Sequence, residues 1–84
     1  MSLYFFHLRD HVDLLLDDEG REFAALDEIA ASALADARGI MAEEVRGGRI
    51  RLDQRIDVED SAGALVHRLE FQDAVEIVGG PSVG

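Results

Sequence analysis

The stretch LDEIAASALADARGIMAEEVR, residues 26–46, decides the fold. At about 100° per residue, Leu26, Ile29, Ala30, Ala33, Leu34, Ala37, Ile40, Met41 and Val45 share one broad face. That is the spacing of an amphipathic helix. Asp27 and Glu28 suit the positive end of its dipole, Arg46 suits the negative end, and Gly47-Gly48 supplies the stop. About 20 residues at roughly 1.5 Å each make a rod of about 30 Å. In a chain this short, only a sheet built from most of the remaining residues can cover its apolar stripe. Ala30, Ala33 and Ala37 run down that stripe, so helix and sheet are expected to approach closely. Two residues break the pattern. Glu44 projects from the apolar side, where we expect the last turn to overhang and leave it in water; the alternative is a partner among Arg49, Arg51 and Arg55. Gly39 lies on the polar side, where it costs about 1 kcal/mol relative to Ala.

Outward from the helix, the chain alternates. Leu3 to Arg9 is apolar on both faces, with Leu3, Phe5 and His7 on one and Tyr4, Phe6 and Leu8 on the other, which suits a central strand. Asp10-His11 marks a turn, and Val12 to Leu16 is expected to return as a second strand. Asp17-Asp18-Glu19-Gly20 reads as a solvated turn with Gly at a positive φ. Glu22-Phe23 is expected to extend the sheet briefly. Beyond the helix, Ile50 to Leu52 reads as a short extended piece. Arg55 to Glu59 alternates, with Ile56 and Val58 inward. Asp60 to Gly63 is a hairpin turn, and Leu65 to Phe71 a last strand with Leu65, His67, Leu69 and Phe71 on one face. The expectation is a single α+β domain over residues 1–78, in ββαββ order, with one helix across a four-stranded antiparallel sheet. A frayed tail is expected over residues 79–84. A lone helix leaves one sheet face open, either Tyr4, Phe6 and Leu8 or the alternate set, and this favours a dimer or a partner.

Composition narrows the function. The chain has 84 residues and a net charge of −10; all eight basic residues are Arg. There is no Cys, so disulfides and thiolate chemistry are excluded. No apolar run is long enough to span a membrane and no signal-peptide layout is visible, so a cytoplasmic protein is expected. Such acidity speaks against nucleic acid, whose phosphates need neutralising, and leaves room for a basic protein partner.

Several pieces together resemble a family of short bacterial proteins of unknown function. They are Tyr4-Phe5-Phe6-His7, an acidic turn ending in Gly20, the Ala-rich helix, Arg55-Ile56-x-Val58-x-Asp60-x-x-Gly63, and Phe71-x-Asp73-Ala74-Val75. The resemblance spans Tyr4 to Ile77; it implies one domain and adds no catalytic residue. The ββα opening is also similar, in element order alone, to antitoxin-like domains of the HicB type.

No catalytic or cofactor-binding residues emerge. His7 and His67 sit on expected strands and, with His11 and Asp10 or Asp13, are the weak candidates for a metal site. Asp17, Asp18 and Glu19 lack the ligand spacing of a calcium loop. Arg46, Arg49, Arg51 and Arg55 form a basic cluster that suits the acidic turns of a second copy. Ala31, Ala35, Gly39 and Ala42 form a strip of small residues on the outer helix face, fit for close helix packing. With Tyr4 and Phe6 they are the candidate interface. The function expected is a non-catalytic, homodimeric protein-interaction module. The alternatives are a small-molecule or metal-binding domain using His7 and His67, or an acidic antitoxin-like inhibitor of a basic partner.

Overall fold

Strand β1 (Ser2–Arg9) owes its central place to being apolar on both faces. In the computed structural model, which describes residues 1–79, it pairs antiparallel on one side with β4 (Arg55–Asp60), in a register that sets Phe6 opposite Val58. Its other side is shared by two short strands. β2 (Leu14–Leu15) pairs with Leu8 and Arg9, and β3 (Arg21–Phe23) pairs with Ser2 to Tyr4. β5 (Leu65–Glu70) closes the far edge against β4. The sheet therefore has five strands, in the order β2-β1-β4-β5 with β3 beside β1. The count of four was short because Glu22-Phe23 is a strand in its own right. Apart from Gly79, the expected frayed tail lies outside the described residues.

Helix α1 (Leu26–Arg46) lies across one face and buries Ile29, Ala33, Ala37 and Met41. Tyr4, Phe6 and Leu8 turn toward it, joined by Ile56, Val58 and Phe71. Phe6 packs on Phe23 with ring centroids 5.6 Å apart. The two helix ends overhang, which leaves Leu26 and Val45 exposed. Glu44 is neither free in water nor paired with an arginine. Its carboxylate accepts the Arg51 N–H at 3.2 Å and the Gln54 Nε2 at 2.9 Å, clamping residues 47–54 to the helix. Those bonds account for the missing extended piece: Ile50 and Arg51 are irregular and Leu52 opens a turn, with no strand among them.

Two other expectations fail for local reasons. Val12 to Leu16 narrows to Leu14–Leu15 because the Asp10 carboxylate accepts the N–H groups of Val12 (2.8 Å) and Asp13 (2.7 Å) and curls the chain. In β5, a bulge opposite Val58 and Glu59 shifts the alternation. Leu65 falls opposite Glu59 and is 49% exposed, while Val66 packs on the core instead. Phe71 leaves the strand, opens a short 3₁₀ turn (Phe71–Asp73) and is fully buried. The hairpin turn before β5 has its expected glycine, Gly63, at φ +84.

Gly20 and Gly39 respond oppositely to a methyl group. Gly20 has φ +76, and a Cβ there would come within 3.0 Å of both Phe5 Cε1 and Tyr4 O. At Gly39 a Cβ would meet nothing within 4 Å. Urea unfolding of Gly20→Ala is expected to show a loss of about 2 kcal/mol, from left-handed backbone strain with added crowding. Gly39→Ala should gain about 1 kcal/mol from helix propensity.

Candidate interaction site

The gap between β2 and β3 leaves the Phe6 N–H without a strand partner, and the Asp17 side chain fills it. Its Oδ2 accepts that N–H at 3.0 Å, while Oδ1 accepts the N–H groups of Glu19 and Gly20, each at 3.1 Å. Asp17 is thus not the solvated turn residue expected from sequence. Burial pushes its carboxyl pKa up, but the three backbone bonds outweigh it and hold the group below its ordinary value. The Asp17 N–H in turn donates to His7 Nδ1 at 3.1 Å, so His7 carries its hydrogen on Nε2, which lies 3.4 Å from Glu59 Oε1.

This tether sets one wall of an open groove of about 650 Å³ between the helix and the β2 edge. Leu8, Leu15, Ile40 and Ile56 give it an apolar floor, and Ala35 and Gly39 lower its helical side. Asp17, Glu19, Asp36 and Glu43 stand around it against a single guanidinium, Arg21. Arg21 lies 4.0 Å above the Phe6 ring and bonds Ser32 and Asp36 on the helix. Beside the groove, Val12 (87%), Leu15 (68%) and Leu16 (62%) are exposed at the sheet edge, with Leu14 next to them. Sequence reading placed these residues on a strand and so hid them; the usable signal was four apolar side chains in five positions with only a two-residue pairing to hold them.

The other candidates scatter. Phe6 is core, 8% exposed beneath the helix, and cannot serve as an interface residue; Tyr4 is half-buried against Phe23. The open sheet face carries the alternate set, Leu3, Phe5 and His7. Ala31, Ala35, Gly39 and Ala42 are exposed on the helix, two of them on the groove. His7 is paired with Asp57 on the open face, His67 with Val58 on the helix side, and His11 sits in an exposed turn. The sheet therefore separates His7 and His67, the weak candidates for a shared metal site. Among the described residues, no group of three His, Cys, Asp or Glu is placed to hold a metal ion. The basic cluster is largely used within the chain: Arg46 pairs with Glu43, Arg51 with Asp10 and Asp53, and Arg55 with Asp57.

Asp57 sits at the centre of the open face and is only 4% exposed. Arg68 Nε donates to its Oδ1 at 2.7 Å, Arg55 Nε to its Oδ2 at 3.3 Å, and Arg9 Nη1 stands 3.8 Å away. Burial raises its pKa, but the bonds from Arg68 and Arg55 prevail and keep the carboxylate below its ordinary value. A carboxylate so fully engaged is a poor base. No helix among the described residues is long and apolar enough to cross a membrane.

Fold and surface together define a small α+β domain, one helix on an antiparallel sheet, with an open groove at the sheet edge. The chain belongs to a family described as a domain of unknown function (DUF6894), whose pattern matches residues 3–72. No curated protein matches the chain. No solved structure matches it either.

Asp17 and Asp57 both have pKa values depressed by folding, so the stability they contribute is present above the ordinary carboxylate value of 3.8 and lost as pH falls through the folded values. Stability should therefore be level from about pH 7 to 5 and fall steeply below about 4. Asp57→Asn should cost about 2 kcal/mol at neutral pH, the value of its charge-assisted bonds, and make the acid fall shallower. Denaturant midpoints taken across that pH range measure both effects.

Proposed function

We propose that this domain is a non-catalytic protein-interaction module that docks a partner in the groove between α1 and the β2 edge. One observation carries the reading: Leu15 is exposed on an apolar trough that no part of the described chain fills, and its neighbours Val12, Leu14 and Leu16 are exposed along the same edge segment. A contiguous exposed apolar patch on a small domain marks an interaction surface more often than chance. The non-catalytic part draws on how the buried and part-buried carboxylates and the strand histidines of the described residues are engaged. Asp17 and Asp57 are saturated by donors, and His7 and His67 lie apart on opposite faces of the sheet. Small residues at Ala35 and Gly39 keep the trough open, which gives Ala35 a purpose besides helix propensity and Gly39 one that offsets its cost in the helix.

The test uses the whole chain as bait in extracts of its source organism, alongside Leu15→Arg. Leu15 is exposed, so the substitution leaves the core intact. Wild type is expected to retain a reproducible partner, identified by mass spectrometry, that the variant retains at least about tenfold less, a difference of about 1.4 kcal/mol. Equal recovery by both baits would remove the groove from the reading.

A further inference from the structure

We propose that the occupant of this groove is an extended segment of a partner protein in which Arg or Lys alternates with apolar residues, laid along β2 as an added strand. The inference rests on the groove being the docking surface and goes on to specify what fills it. β2 ends the strand order, so one side of its backbone has no strand neighbour among the described residues. Such an edge is a template for an incoming strand, whose main-chain bonds give affinity and whose alternate side chains give specificity. The register sets what those side chains meet. Leu15 pairs with Leu8 on the helix side, at the groove, and Leu14 pairs with Arg9 on the open side. Groove-facing residues of the added strand thus cross an apolar floor before reaching Glu19, Asp36 and Glu43. A long basic side chain fits both parts, its stem on Leu15 and Ile40 and its charged head among the carboxylates. Residues facing the other way lie beside Leu14 and are apolar.

Charge selects against a second copy in this place. Four carboxylates line the groove against one arginine, and the whole chain carries −10. The exposed edge is itself flanked by Asp10, Asp13, Asp17 and Asp18, so two such edges pairing antiparallel would set acid against acid. A basic strand reverses the sign of that interaction.

The test titrates three capped synthetic peptides into the full-length, nitrogen-labelled protein and follows backbone amide shifts. One peptide alternates arginine and valine, the second replaces each arginine with glutamate, and the third is the basic peptide N-methylated at alternate residues. The basic peptide is expected to bind saturably with a Kd of about 1 mM or tighter at low salt, moving Leu14, Leu15, Ala35 and Gly39. The glutamate peptide should move nothing. N-methylation, which deletes ladder donors, should weaken binding about tenfold. Unsaturable shifts spread over the acidic surface, or unchanged affinity after N-methylation, would overturn the added strand. No peptide binding, with Leu14 and Leu15 shifting instead as protein concentration rises and Leu15→Arg abolishing that, would make the occupant a second copy. The inference would then fall and the docking surface would stand. Silence in every titration, together with equal recovery by both baits, would overturn both.

Discussion

The Asp17 carboxylate is the constraint on which the groove between helix and sheet edge depends. A sheet strand with one unpaired N–H in mid-ladder must find an acceptor or lose on the order of 1–3 kcal/mol. Here the acceptor comes from a side chain eleven positions along the chain, and the same carboxylate gathers Glu19 and Gly20. One group thereby separates β2 from β3, turns the chain between them and delivers Arg21 onto Phe6. Without it, Leu15 and Arg21 would have no fixed relation, and the groove they line would lose its outer wall.

The helix side of the structure is held by closeness rather than bulk. Two of the four buried helix residues are alanines, so the rod sits low on the sheet and few large side chains fill the interface. Phe71, Ile29 and Val58 are the largest fully buried ones. A core this thin leans on polar fastenings at its rim: Glu44 on Arg51 and Gln54, Arg21 on Ser32 and Asp36, and Arg38 on the carbonyl of Ala74. Much of the scarce positive charge is spent in the same way. Arg55 and Arg68 secure Asp57, Arg51 secures Asp10, and the surface left around the groove is acidic because of it.

The helix was legible to its end residues because period, acidic start, basic finish and paired glycines all agreed. The α+β class and the central place of β1 followed from it. What misled were the features set by single side chains acting at a distance or by one extra residue. Asp10 curls the start of β2, the bulge in β5 trades Leu65 for Val66, and Glu44 finds a backbone partner seven residues on. None of these leaves a periodic trace. The groove was half visible. Ala35 and Gly39 stood out as small residues without a packing reason, but the opposite wall exists only because Asp17 reaches back to β1. Phe6 was misplaced because period two says which residues share a face, not which face the helix takes.

The β1–β4 ladder joins the first strand to one that lies beyond the entire helix. During synthesis at about 5–20 residues per second, the first strand therefore waits on the order of seconds for its main neighbour. Through that interval the apolar run Leu3, Tyr4, Phe5 and Phe6 lacks its main neighbour, the kind of unpaired segment that is prone to aggregation. The short strands β2 and β3, emerging first, can sheathe only the opposite margin. The loop that caps the Phe6 N–H thus comes from residues made soon after β1, whereas the strand that pairs its other side comes only after the helix.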